Sequence, residues 1–465
     1  MKKNLFKSLQ TLLVFGLAFT LTSCWNFDNP LEEMSGSGSG SGDGGGSSTI
    51  AVTGVKLNEA YLRFDKNVLT AQTLTATVAP DDATDKTVTW ESSDESVATV
   101  DENGQVTPIT KGTVTITATA NDGSGMKATS TVIVYDKIHN INTDGAASVT
   151  SGEEWLIEGN GTAISNSITI GDGATVTLNG INISQQITCS GNATIYLADD
   201  SENKVVSTNL FAGIKIGGDG TTLTINAETA GTGKLTAKGG GFAAGIGTGV
   251  NQTGGNITIN GGTVTATGGE WGAGIGTGSA YFDNNKCGVI TIKGGTVNAT
   301  GGDSGAGIGT GDACSDALSG SGDVTAECGN IIIDGGTVNA KGGSAAAGIG
   351  TGQTYSTNLG ETASQTCGAI TIGTGVTSVI ATKGSGAPNS IGVGVKLGGG
   401  GTENQTCGTI TFGSTQVFDG ASPGTWDAGI DFNTDADYGP YGGLNLNIST
   451  TTNANDTWTL TPVAP

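Results

Sequence analysis

The stretch "CGVITIKGGTVNATGGDSGAGIGTG", residues 287–311, decides how most of this chain folds. Nine of its 25 residues are glycine, and its aliphatic residues Ile290, Ile292, Val297 and Ala299 fall two apart within short runs, with Ile308 further on. A period of two marks strands with one buried face, and glycine pairs between the runs mark turns that need positive φ. The same wording returns as "GNITINGGTVTATGGEWGAGIGTG" from Gly255 and "CGNIIIDGGTVNAKGGSAAAGIGTG" from Cys328. Decayed copies begin at Cys367 and Cys407, and the tail of an earlier one runs over Gly233–Gly249. Each copy offers three short strands, I-T-I, T-V-x-A and A-G-I-G-T-G, too little to bury a core alone. Stacked copies share hydrogen bonds and close a continuous core. Right-handed crossovers between parallel strands make a right-handed parallel β-helix the expected solution over residues 138–412, with 413–465 as its C-terminal cap. The stretches between G-T-G and the next C-G vary in length, which places loop insertions at one corner.

The whole composition agrees with an all-β chain. Among 465 residues there are 82 Gly, 8 Pro and 1 His, and the net charge is −23. That acidity excludes a nucleic-acid partner, because nothing could neutralise a row of phosphates. Residues 50–136 read differently from the repeat: alternating runs such as "LTATVAP" (Leu74–Pro80) and "GTVTITATA" (Gly112–Ala120) are separated by turn residues such as Asn103–Gly104. Several short strands with one Trp and no Cys suit a β-sandwich. The segment "VTWESSDESVATVDENGQVTPITKGTVTITATA" resembles the group 2 bacterial immunoglobulin-like domain of intimin- and invasin-type surface proteins. Trp90, Ser92, Ser93 and the turn Gly104–Gln105–Val106 stand in that pattern. The resemblance implies a spacer or adhesion module, with Trp90 as a core anchor.

The N-terminus reads as an address. Lys2, Lys3 and Lys7 precede "LQTLLVFGLAFTL" (Leu9–Leu21), which is shorter than an ordinary membrane span and shaped like a secretory signal. It ends in "LTSC" (Leu21–Cys24), which resembles the bacterial lipobox and implies cleavage after residue 23 and acylation of Cys24. By analogy with Gram-negative sorting, the absence of Asp directly after Cys24 points to an outer-membrane lipoprotein at the cell surface. The Gly/Ser run at Ser35–Thr49 completes residues 24–49 as a flexible tether spanning roughly 20 Å.

Candidate chemistry is sparse. "GAGIGTG" does not read as a phosphate loop, since a polar stretch and not a helix follows it each time. Cys287, Cys328, Cys367 and Cys407 share one repeat phase, so stacked copies make them a ladder; packing, disulfides between neighbours and metal binding all remain open. His139 falls in the junction "KIHNINT" and reads as a linker residue. No cofactor is expected apart from calcium: in "DFNTDADYG", Asp431, Asn433, Asp435 and Asp437 alternate like the first half of a Ca²⁺ loop, although Ala436 replaces the turn glycine and no closing Glu follows. No acidic residue recurs at one phase, where Gly241, Glu270, Asp303 and Ser344 alternate, so clustered carboxylate catalysis is not expected.

The aromatics are the informative residues of the repeat. Phe242 and Trp271 occupy the same phase on successive copies, while Tyr281 and Tyr355 each lie three past G-T-G, with Phe282 beside the first. Flat apolar faces with polar rims are what sugar rings stack upon; a patch covered by a neighbouring loop is the competing reading. The Gly-rich wording also resembles bacterial surface modules described as carbohydrate-binding β-helices. The expectation is a non-catalytic adhesin or glycan-binding protein, its partner a polysaccharide or a host or cell-surface glycan and its membrane contact the lipid. A structural component of a surface assembly and a β-helix polysaccharide lyase or hydrolase are the alternatives. Replacing Cys24 by Ala is expected to abolish acyl labelling and move the protein to the soluble fraction; membrane retention of the variant would refute the anchor.

Overall fold

In the computed structural model, the described residues are 49–315, 322–357, 359–418, 436–441, 443–450 and 456–463. Cys24, the Gly/Ser run before Thr49, and Asp431, Asn433 and Asp435 lie outside them; Asp437 falls in the strand Ala436–Tyr441. The described residues are all β, with no helix among them. Strands Tyr61–Asp65, Lys127–Tyr135, Gly112–Ala120 and Val88–Ser92 form one sheet of a sandwich. Short strands, among them Ala98–Val100 and Gln105–Pro108, face it. Leu62, Phe64, Leu74, Val106, Ile116, Val132 and Val134 fill the space between, and half-buried Trp90 packs against them. Gly104 takes φ +78°, and a Cβ there would collide with both the Trp90 indole and the Leu74 carbonyl.

From Lys137 onward the chain winds as a parallel β-helix. Among the described residues, three sheets of ten, seven and nine parallel strands run along it, and antiparallel strands near the C-terminus extend the first two. They correspond to the three runs of the repeat. The I-T-I sheet stacks Ile257, Ile290, Ile331, Ile370 and Ile410 in register. The T-V-x-A sheet stacks Val264, Val297, Val338 and Val379. The I-G sheet stacks Ile246, Ile275, Ile308, Ile349 and Ile391. All these aliphatics are buried in one cluster that runs the length of the solenoid.

The I-G sheet also explains the wording G-I-G-T-G. Gly247, Gly276, Gly309 and Gly350 have φ between +134° and +145°, and a Cβ on any of them would collide with the carbonyl of the glycine one coil on. The threonine that follows is buried and acts as a rung: Gly278 N donates to Thr248 Oγ1 at 3.0 Å, Gly311 N to Thr277 Oγ1 at 2.8 Å, and Gly352 N to Thr310 Oγ1 at 3.0 Å. Glycine admits the close approach, and threonine satisfies the amide that approach buries.

The variable stretches are not simple loops. They build a fourth parallel sheet from Asn285–Cys287, Val324–Cys328, Thr362–Cys367 and Thr402–Cys407, and Ala313–Ser315 pairs with Thr354–Ser356. Ala280, Ala313, Val324, Ala326 and Ala363 give this side layer its own small core. The cysteines stack Cys287, Cys328, Cys367 and Cys407 in register as buried free thiols. Contact with the thiol below and burial hold Cys328 and Cys367 well above the usual thiol range, which leaves them protonated and unreactive.

Both ends of the solenoid are closed by atypical residues, as a stacked array requires. At the start, His139 is buried and stacks on Trp155 with centroids 5.8 Å apart, its Nε2 within 3.0 Å of the Gly145 carbonyl. It is therefore an end-cap residue in the strand Lys137–Asn140 and not a linker. At the far end, strands Leu444–Thr450 and Asp456–Pro462 add antiparallel to Val376–Thr382 and bring Leu444, Leu446, Trp458 and Leu460 into the core cluster.

The sandwich leads into the solenoid through a single residue, Asp136. Its carboxylate accepts from Lys66 Nζ at 2.6 Å, Lys111 Nζ at 2.8 Å and Glu154 N at 2.8 Å, and Asp65 accepts from Ile138 N at 2.9 Å. Burial raises the Asp136 carboxyl, but the two ammonium groups and the amide outweigh it and hold it at about 2. With a folded value below the ordinary carboxylate value, its stabilisation is present above about pH 4 and lost as pH falls through about 2. Asp136→Asn is expected to lower the melting temperature by a few degrees at pH 7 and to match the parent near pH 2; an equal deficit at both pH values would refute the ionic role.

Candidate functional site

Three of the repeat aromatics and their neighbour form a continuous strip. Because Ile246 and Ile275 are in register, Phe242 and Trp271, each four residues earlier, lie one above the other. Their rings stack with centroids 4.3 Å apart and planes 23° apart. Tyr281 comes round the next corner to meet Phe242 at 5.9 Å, and Phe282 stands edge-on to Tyr281 at 4.5 Å. Phe242, Trp271 and Tyr281 are half-buried, whereas Phe282 is 59% exposed. The strip is thus a fixed apolar surface with one projecting ring.

Local hydrogen bonds hold it in place. Asn251 adopts the left-handed conformation with φ +51°, a conformation asparagine tolerates, and its side-chain oxygen accepts from Tyr281 N at 2.8 Å and Phe282 N at 3.2 Å. The Trp271 carbonyl accepts from Asp312 N at 2.8 Å, and the Phe242 carbonyl from Ser279 N at 2.7 Å. The register extends the apolar surface one coil toward the sandwich. Ile214 pairs with Ile246, so Leu210 takes the position of Phe242, and Leu210 and Phe211 are about half exposed. Sequence reasoning missed both because their coil lacks the repeat wording.

Tyr355 does not join the strip. It shares the column of Tyr281, but Cys314 lies between them, paired with Tyr355, so the two tyrosines are two coils apart. No ring contact among the described residues includes Tyr355. Among the described residues no group of three or more His, Cys, Asp or Glu is arranged to hold a metal ion.

Directly behind Trp271 lies a feature the sequence did not announce. Asn285, Ala326, Gln365 and Gln405 share one register column of the side layer. In three coils the amide bridges buried carbonyls: Asn285 Nδ2 donates to Gly249 O at 2.6 Å and Ser279 O at 3.0 Å, Gln365 Nε2 to Gly311 O and Gln353 O, and Gln405 Nε2 to Gly352 O and Val395 O. Ala326 has no amide. In the coils this gap adjoins, buried Asp312 Oδ1 and Ser279 Oγ lack hydrogen-bond partners. Burial pushes the Asp312 carboxyl up to about 8, against a weaker opposing pull from the Ala313 amide, so at neutral pH the acid is protonated.

Comparison with known proteins agrees with this architecture. Residues 51–132 match the bacterial Ig-like domain (group 2). Residues 257–279, 290–312 and 331–353 each match a beta helix repeat. Similar stretches occur in an uncharacterized protein of Clostridium acetobutylicum (45% identical over 85 residues, 18% of this chain and 21% of that protein). They occur also in an alpha-L-arabinofuranosidase of Bifidobacterium longum (64% over 55 residues, 12% and 5%) and a lacto-N-biosidase of Bifidobacterium bifidum (47% over 83 residues, 18% and 7%). The shared stretches span about a fifth or less of these relatives' length.

The raised Asp312 carboxyl has a consequence for stability. Its folded value lies above its unfolded value of about 3.9, so stability is full below that pH and falls as pH rises through about 8. Asp312→Asn removes the ionisation, and is expected to raise the melting temperature by several degrees at pH 8 while leaving it unchanged at pH 4. A pH-independent effect would show that Asp312 ionises freely in the folded protein.

Proposed function

We propose that this protein is a lipid-anchored, cell-surface glycan-binding protein that acts as an adhesin without catalysis. The observation that carries the reading is the strip of Phe242, Trp271, Tyr281 and Phe282, whose rings are packed together on rigid coils instead of being scattered singly. Preorganised aromatic faces bind the C–H faces of sugars with little ordering cost. Exposed Glu270 and Asp283 border the strip, where carboxylates accept hydrogen bonds from sugar hydroxyls. Such solvated single carboxylates suit binding better than the confined carboxylate pair of glycoside hydrolysis. The glycosidase names of two partial relatives are consistent with a module that works beside carbohydrate.

Each ring contributes roughly 0.5–1.5 kcal/mol, so single losses weaken binding only several-fold. Trp271→Ala combined with Tyr281→Ala is expected to reduce affinity on a glycan array about tenfold or more, with a melting temperature near that of the parent. The parent should bind without releasing new reducing or unsaturated ends. Loss of the fold in the double variant, together with no glycan bound by the parent, would make the strip a structural patch; release of new ends would make the protein an enzyme.

A further inference from the structure

Where the sandwich packs on the solenoid, the two leave between them a cavity of about 370 Å³. This is at the small end of the range for ligand pockets, roughly 300–1,000 Å³, and has room for one or two sugar rings. One wall is the outward face of the large sandwich sheet, which contributes Tyr61 and Tyr135. The other is the outward face of the I-T-I sheet, where Thr177 and Tyr196 pair in register and Glu154 and Glu228 flank them. Leu156, next to Thr177 on the same outward face, is fully buried, as is Tyr135, so the two sheets meet closely around the cavity.

Glu228 points to a ligand. Its side chain is only 7% exposed. Oε2 accepts from Arg63 Nη2 at 2.6 Å and from Asp199 N at 3.0 Å, while Oε1 is buried with no hydrogen-bond partner. Leaving a buried carboxylate oxygen without a donor is costly, and the cavity wall is where a donor can be supplied. Arg63 Nε is likewise buried without a partner, so the pair leaves both an acceptor and a donor unpaired beside the cavity. Tyr61 Oη donates to Asp199 Oδ2 at 2.8 Å, the Arg63 guanidinium lies 5.0 Å over the Tyr61 ring, and Tyr135 Oη is 3.4 Å from Thr177 Oγ1.

We propose that this cavity is a binding site for a neutral saccharide of one or two rings, its hydroxyls donating to Glu228 Oε1 and its ring faces lying against Tyr61 and Tyr196. Glu154 repels anions. Arg63 already neutralises Glu228, so the free oxygen seeks a hydroxyl and not a cation. Tyr61 and Tyr196 supply flat faces with polar edges, and the threonine hydroxyls complete a lining that can both donate and accept. The site is separate from the aromatic strip and does not rest on it.

The full chain labelled with 3-fluorotyrosine gives seven tyrosine signals to assign, read by ¹⁹F NMR during titration with arabinose, galactose and lactose up to about 50 mM, beyond the millimolar Kd of a weak site. The expected result is saturable movement of the Tyr61, Tyr135 and Tyr196 signals by at least one sugar, retained in the Trp271→Ala, Tyr281→Ala variant. Glu228→Gln should weaken that binding about tenfold. Tyr196→Ala, which touches no ion pair of the junction, should abolish it without changing the melting temperature, and decides the matter if Glu228→Gln loosens the junction. Cleft signals that none of the sugars moves, that move equally in both variants, or that answer only to an amine such as ethanolamine would overturn the proposal.

Discussion

Identical side chains stacked in parallel register are the constraint on which the rest depends. A coil of the solenoid has too few aliphatics to pay for its own ordering, so each residue must meet its counterpart one coil away. That requirement dictates glycine where carbonyls approach within a side chain's reach, threonine where the same approach buries an amide, and small or aliphatic residues, isoleucine and valine foremost, on the inward positions. It also dictates that deviations are felt by the next coil. Ala326 shows this: its coil lacks the side-chain amide with which Asn285, Gln365 and Gln405 bridge carbonyls of successive coils.

The same register turns sequence phase into spatial adjacency, which is why so much was legible. The stacking of Phe242 on Trp271 and the line of four cysteines follow from counting residues from the nearest isoleucine. What counting could not supply was the length of chain between G-T-G and the next coil. Tyr355 has the same offset as Tyr281, yet the coil between them places Cys314 in that column, and the ring is two coils away. The inserts themselves look like polar loops in one dimension and become strands only when three or four of them lie side by side.

Other features escaped because their partners are far apart in sequence or lack the repeat wording. His139 sits in a strand with no resemblance to I-T-I, and only the ring of Trp155 above it reveals an end cap. Arg63 and Glu228 are charged residues of unremarkable local context, joined across the junction of two architectures. Asp136 looks like a connector between a sandwich and a repeat, whereas its three donors tie the last sandwich strand to the second coil of the solenoid. Periodicity reports a residue's own element well and reports contacts between elements of different periodicity hardly at all.

Near-identical coils also make this molecule a ruler with fixed graduations. The copies from Gly255, Cys287 and Cys328 stack the same Ile, Val and Gly in their three main sheets, so duplication or loss of one whole copy through recombination leaves those three ladders matched. Each such event changes the length by about 4.8 Å, never by a fraction of it. The distance from the junction with the sandwich to the C-terminal cap can therefore be reset in discrete steps over generations, while both ends keep their own chemistry.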